Sequence, residues 1–130
     1  MIEKDIDIKF LSNIFSHYKE DYDFKPNEFT KVYTYIVDEK IVGFIIFDII
    51  YEKCEIIDIF IEENYRRKGI AILLIKEIEK DFSIENITLE VREDNIPAIK
   101  LYEKIGFKKV SIRKNYYKDT NGLLMLKEIR

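Results

Sequence analysis

Arg66-Arg67-Lys68-Gly69-Ile70-Ala71 places three cations and a glycine between an apolar run, Ile56 to Ile61, and a stretch whose apolar residues recur at helical spacing. The first N–H groups of a helix have no internal partner and carry partial positive charge, so a helix opening here can hold a phosphate or pyrophosphate. Gly69 lets a ligand approach the backbone closely, and Ala71 is the next smallest choice two residues later. The chemistry this implies is the binding of a phosphorylated cofactor.

Four polar residues elsewhere stand out, each with an ordinary structural reading. Glu90 lies in a run, Asn86 to Val91, whose alternation puts Ile87, Leu89 and Val91 on one face and Thr88 and Glu90 on the other. Its carboxylate either faces solvent or lines a cleft. Tyr102 shares a helix stripe with Ala98, Leu101 and Ile105, where a tyrosine is by default a core residue with its hydroxyl at the rim. Asn95, just ahead of Pro97, is by default a helix-start or turn residue. Asp58 interrupts an apolar strand and marks a bulge, an opening in the sheet, or a plain edge position.

The elements that must position these residues read as follows. Ile8 to Glu20 has a helical face of Ile8, Leu11, Phe15 and Tyr18, and Asp21 to Thr30 is a polar loop containing Pro26. Val32 to Val37 is a strand, Asp38-Glu39-Lys40 a hairpin turn, and Ile41 to Tyr51 a central strand covered on both faces. Ile56 to Ile61 is the next strand, and Arg67 to Phe82 a helix burying Ile70, Leu74, Ile75, Ile78 and Phe82. A strand over Asn86 to Val91 precedes a helix from Pro97 to Ile105 that stops at Gly106. Phe107 to Tyr117 and Leu123 to Ile129 are strands joined by the Asp119-Thr120-Asn121-Gly122 turn. The order, roughly βαββ, then βα, βα, ββ, predicts an α+β fold with an α/β-type mixed sheet and helices on both faces.

Composition narrows the function classes. At 130 residues the chain is expected to be a single domain, 1–130, with one core. No apolar run approaches the eighteen or so residues of a membrane span, and Met1-Ile2-Glu3-Lys4-Asp5 does not begin a secretory signal. A single cysteine, Cys54, suits a reducing, cytoplasmic location, and a single histidine, His17, is poor material for a metal site or a Ser-His-Asp triad. Net charge of −3 argues against direct nucleic-acid binding. Lys108 to Lys118, with Lys109, Arg113 and Lys114 between, is a local basic exception: a solvated strand face or a docking surface for an acidic partner.

In order along the chain, Arg66-x-x-Gly69-x-Ala71, Leu89-Glu90-Val91-Arg92, Asn95 and Leu101-Tyr102-Glu103-Lys104-Ile105-Gly106-Phe107 resemble the GNAT acetyltransferase superfamily. The closer resemblance is to its ribosomal-protein-alanine N-acetyltransferases, the RimI group, whose tail looks like Ile112-Arg113-Lys114-Asn115-Tyr116-Tyr117. The match covers about Ile41 to Lys118. It implies the acyl-CoA N-acyltransferase fold, a mostly antiparallel sheet splayed between the Ile56–Ile61 and Asn86–Val91 strands, with acetyl-CoA in the opening. By that resemblance, backbone around Asp58, Ile59 and Phe60 pairs with the pantetheine arm. The pyrophosphate lies on Arg66, Arg67, Lys68, Gly69, Ile70 and Ala71, and Asn95 contacts the cofactor. Glu90 matches the group's proton acceptor, Tyr102 its proton donor, and Tyr116 and Tyr117 would line the acceptor side.

The function implied is transfer of acetyl from acetyl-CoA to a protein or peptide N-terminal α-amine, a ribosomal protein's among the candidates, by a monomer or weak dimer with no metal and no membrane partner. Acyl transfer needs a neutral amine. An α-amino group has a pKa of about 7.7–8.0 against about 10.4 for lysine, so one weak base serves an N-terminus more easily than a side chain. Two alternatives stand beside this: an acetyltransferase for a small amine (amino acid, polyamine or antibiotic), and a non-catalytic acetyl-CoA-binding module.

Overall fold

A computed structural model describes residues 1–4 and 26–130. Its strands are β1 (Ile2–Lys4), β2 (Thr30–Val37), β3 (Lys40–Ile50), β4 (Lys53–Ile61), β5 (Asn86–Arg92), β6 (Lys108–Arg113) and β7 (Gly122–Glu128). Helix α1 spans Ile70–Asp81 and α2 Ile96–Lys104, with a 3₁₀ turn at Glu63–Tyr65. The expected helix over Ile8 to Glu20 and most of the loop after it lie outside the described residues.

The strands form one seven-stranded sheet in the order β1-β2-β3-β4-β5-β7-β6. Only the β4–β5 pairing is parallel; the others are antiparallel. The reason is connectivity: α1 crosses from the end of β4 to the start of β5, whereas β2–β3 and β3–β4 are joined by tight turns. Asp38 and Glu39 both take positive φ, 50° and 64°, as a two-residue hairpin whose twist matches its strands demands. β3 is buried without interruption from Val42 to Asp48, as its apolar run predicts for a central strand.

Both described helices feed one core. Ile70, Leu74, Ile75 and Ile78 of α1 and Ile99 and Tyr102 of α2 pack with Ile45, Phe47, Ile56, Ile87, Leu89 and Met125 from one sheet face. Phe44 and Ile46, which alternate with those β3 residues, are buried on the other.

β2 and β4 begin earlier than expected, at Thr30 and Lys53, and two further boundaries differ beside the site. The helix expected from Arg67 begins at Ile70, because Arg67 and Gly69 both take left-handed backbone, φ 64° and 78°. The strand expected to run through Tyr117 ends at Arg113. Asn115 turns left-handed, φ 56°, and its N–H donates to Asn121 Oδ1 at 2.9 Å, so Tyr116 and Tyr117 sit in a turn.

Candidate active site

The site begins where two neighbouring strands part. β4 and β5 pair from Lys53/Asn86 only as far as Ile56/Leu89. At that point β4 carries a bulge: Phe47 faces Ile56 and Ile46 faces Asp58, which leaves Ile57 as the extra residue. A one-residue insertion exchanges the faces of everything after it. Cys54 and Ile56 point into the helix-side core, and unbroken alternation would send Asp58 there too. The bulge turns Asp58 to the opposite face, the face of Glu90, and bends β4 away from β5 as pairing stops. Two of the readings left open for Asp58, bulge and opening, are one structural event.

Beyond the bulge no strand among the described residues pairs with the outer edge of β4. Asp58 Oδ1 accepts from the Ile59 N–H at 2.9 Å, and the Ile61 carbonyl accepts from Arg66 Nε at 2.8 Å. Phe60 stacks on Phe44, centroids 5.7 Å apart, and the Arg66 guanidinium lies 5.7 Å over the Phe60 ring. Arg66 thus folds back to tie the loop to β4. Lys68 Nζ rests 5.4 Å over the Tyr65 ring.

The loop after it has the geometry of an anion cradle. The first helical bond of α1 runs from Leu73 N–H to Gly69 O, 3.0 Å, and no backbone carbonyl among the described residues accepts from the N–H groups of Arg67 to Ile72. These donors, the cations beside them and the helix dipole act in one place. A β-carbon on Gly69 would meet nothing within 4 Å, so the backbone there borders open space. The side chain of Ile70 is buried, so that residue can offer a ligand only its backbone.

Glu90 lies on the sheet face opposite the helix-side core, and Tyr102 lies within that core. Glu90 is half-buried in the intermediate row of β5, with Oε1 3.2 Å from Arg113 Nη1 and Oε2 buried without a hydrogen-bond partner among the described residues. Tyr102, on α2, is buried against Phe107. Burial first, and the Asp58 charge second, push its phenol up to about 12.

Asn95 is the N-cap of α2, its Oδ1 accepting from Ala98 N–H at 3.3 Å, which is the ordinary reading of that residue. The cap leaves its amide nitrogen as the group a ligand could meet.

The aromatic pair closes the other side. Tyr116 and Tyr117 meet edge to face at 4.9 Å, with Arg113 4.7 Å over Tyr116 and Arg92 5.2 Å over Tyr117. Arg92 is fixed by Asp94 at 3.1 Å and Asp119 at 2.7 Å. Burial, then Tyr116 and Glu90, raise the Tyr117 phenol above its ordinary value, and Arg92 opposes this. Gly122 is packed closely here: a β-carbon would sit 3.0 Å from Tyr116 Cδ1 and 3.1 Å from its Cβ, so the ring would have to give by a few tenths of an ångström. Asn121 completes the frame, donating from Nδ2 to Glu93 Oε2 at 3.0 Å.

The sequence gives Arg113 a place only in the basic segment and Asn121-Gly122 only in a turn, and gives none of these, nor Arg92, a role in the site. Arg92 could have been found, since it continues the Thr88–Glu90 face at spacing two. Arg113 could not, because it reaches Glu90 across β7 from a strand that is not its sequence neighbour.

Thr88 and Glu55, on the Glu90 face, help line a cavity of about 900 Å³ together with Asp48. Burial, then the charges of Asp48 and Glu90, push the Glu55 carboxyl up, with Arg113 opposing. The face leading to the gap is therefore a row of carboxylates. Among the described residues no group of three or more His, Cys, Asp or Glu is placed to hold a metal ion, and no helix is long and apolar enough to cross a membrane.

A seven-stranded mixed sheet parted beside a helix-start cradle is the acyl-CoA N-acyltransferase architecture. Residues 4–107 match the family described as "Acetyltransferase (GNAT) family", and the chain belongs to it. It is 42% identical over 100 residues to an N-alpha-acetyltransferase of Saccharolobus solfataricus, covering 65% of this chain and 60% of that protein. The ribosomal protein bS18-alanine N-acetyltransferase of Escherichia coli is 38% identical over 87 residues, 64% of this chain and 58% of the relative. The chain thus spans about three fifths of the length of these curated relatives. The crystal structure of the Escherichia coli ribosomal-protein-S18-alanine N-acetyltransferase has the same fold, with TM-score 0.82 at 22% identity over 99% of this chain and 94% of that one. A GNAT family acetyltransferase from Elizabethkingia anophelis, solved with acetyl-CoA bound, gives TM-score 0.75 at 20% identity over 99% and 97%.

Proposed function

We propose that this protein transfers acetyl from acetyl-CoA to the α-amine of a protein or peptide N-terminus, as the names of its sequence relatives suggest. The observation that carries the reading is the parted β4–β5 edge, with a row of N–H groups unpaired among the described residues in the loop after β4 and Glu90 on β5 just past the last β4–β5 pair. The residues fit the cosubstrate. Arg67 to Ala71 would take its diphosphate, the β4 edge around Asp58, Ile59 and Phe60 its pantetheine arm, and Asn95 an amide or carbonyl along the way. Acetyl-CoA, when bound, supplies the activated acyl group.

The chain's own residues supply proton handling. Glu90 Oε2 is the acceptor for the proton that the attacking amine must lose, directly or through one water. Tyr102 keeps its proton and presents it to the departing sulfur. An ordinary thiol has a pKa of about 8.5, so a phenol near 12 would not protonate a thiolate in water; it hydrogen-bonds the sulfur while the desolvated gap raises the sulfur's basicity. The carboxylate row of Glu90, Glu55 and Asp48 favours approach of a cationic amine, and Tyr116 and Tyr117 flank the entry.

Cytoplasmic location, action as a single domain over 1–130 and a ribosomal-protein acceptor belong to the same proposal. Mass spectrometry of peptides incubated with acetyl-CoA tests it. Peptides with a free N-terminus should gain one acetyl group there, and N-terminally blocked, lysine-containing peptides should not. Acetylation confined to lysine side chains, or to polyamines and free amino acids, would replace this reading with one of its alternatives.

A further inference from the structure

Glu90 presents two oxygens with unlike surroundings. Oε1 lies 3.2 Å from Arg113 Nη1, whereas Oε2 is buried and unpartnered among the described residues. Arg113 ends β6, and β7 lies between it and β5. The crossing is possible because Arg92, Gly122 and Arg113 share one register line, and its middle member has no side chain. The same guanidinium lies 4.7 Å over Tyr116, the ring that Gly122 admits against β7.

We propose that Arg113 is a positioning residue. It holds Oε1 of Glu90 from the neighbouring hairpin so that Oε2 faces the parted strands as the proton-accepting atom. The inference rests on the reading of Glu90 as the base. A carboxylate on a flexible stem rotates to have both oxygens solvated. One cation beside one oxygen, itself resting over the Tyr116 ring, favours a single orientation. The contribution is to orientation rather than to stability: Arg113 is 60% exposed, and ion pairs with so exposed a partner are worth little to folding. Lysine can supply the charge but not the planar stack that holds it in place.

The experiment is a double-mutant cycle with Glu90→Gln and Arg113→Gln, read as kcat and as KM for acetyl-CoA and for an acceptor peptide. A misplaced reacting group costs up to about 10²-fold. Arg113→Gln should therefore lower kcat by about 10- to 100-fold, leave KM for acetyl-CoA within about twofold, and be partly rescued by Arg113→Lys. In the Glu90→Gln background the same substitution should cost nothing further, since no carboxylate remains to be oriented. If Arg113→Gln lowered kcat by the same factor with and without Glu90, its effect would run through Tyr116 or packing and the proposal would fall. It would also fall if Arg113→Gln turned over like the wild type. Should Arg113→Gln not fold, Arg113→Lys in both backgrounds gives the same comparison. Undiminished turnover by Glu90→Gln alone is a separate result, which would remove the base itself.

Discussion

At the scale of single residues, burial acts alike on two groups and gives them different uses. Cys54 is 1% exposed, and burial, then the Asp48 and Glu55 charges, push its thiol up to about 12. It stays a thiol at neutral pH and is a poor nucleophile, which disfavours an acyl-cysteine route. Tyr102 is raised to about 12 in the same way, and for a hydrogen-bond donor that is useful, because the proton stays on. A raised phenol pKa keeps the acid form until pH climbs through the shifted value. Titration of Tyr102 should therefore produce no falling limb in kcat below about pH 10. Tyr102→Phe should slow single-turnover acetyl transfer by roughly 10²-fold while coenzyme A binding, read by calorimetry, changes little. A variant with normal chemistry and weakened binding would make Tyr102 a packing partner of Phe107. Glu90→Gln should lower turnover by about 10²–10⁴, the usual range for a general base, with coenzyme A binding retained.

At the scale of elements, the unit that matters is strand β4, its bulge, the loop and helix α1. Gly69 caps α1 at φ 78°, where a β-carbon would meet no protein atom. Any substituent therefore costs left-handed strain of about 1 kcal/mol and projects into the space that a diphosphate would fill. Gly69→Ala should weaken coenzyme A affinity at least tenfold and barely change affinity for pantetheine, which lacks the diphosphate. Equal losses for both ligands would move the anion site elsewhere. The basic β6 segment is legible in another way. Its edge position, its bulge at Val110 and its lysines at 108 and 109 are features that discourage strand-to-strand association, in line with the solvated-face reading.

At the scale of the whole molecule, a polar clamp ties the sheet's first edge to the cofactor-side helix. Lys4 Nζ lies 2.6 Å from Asp81 Oδ2 and 2.8 Å from Glu77 Oε1, and Tyr33 donates its hydroxyl to Asp81 Oδ2 at 2.6 Å. Hydrogen bonds from Lys4 and then Tyr33 hold the Asp81 carboxyl below the usual carboxylate range. For a carboxyl depressed in the folded state, the stabilisation is whole above its unfolded value of about 3.9 and disappears as pH falls through the lower folded value. In melting curves taken from pH 7 to pH 2, wild type should exceed Asp81→Asn in Tm at neutral pH. That difference should close below about pH 3.9; a gap independent of pH would show that Asp81 serves packing alone.

How much of this was legible depends on range. The apolar β3 run, the α1 stripe and the alternation of β5 were readable because periodicity is a local property, set by 3.6 or 2 residues per repeat. The ordered motif from Arg66 to Tyr117 pointed to the right family for the same reason: it lies in the chain. Boundaries slipped where one backbone angle decides, at Arg67 and Asn115, since neither is a glycine and nothing local demands a positive φ.

The sequence by itself determined which groups the chain possesses, on which face of an unbroken element each stands, and that three cations and a glycine stand at the opening of α1. Only the tertiary structure decided that Asp58 changes face at the Ile57 bulge, that Tyr102 is buried against Phe107, and that Arg113 reaches Glu90 across β7. The reason is physical. These are contacts between strands distant along the chain, fixed by register and by where pairing stops, and register is a property of the assembled sheet.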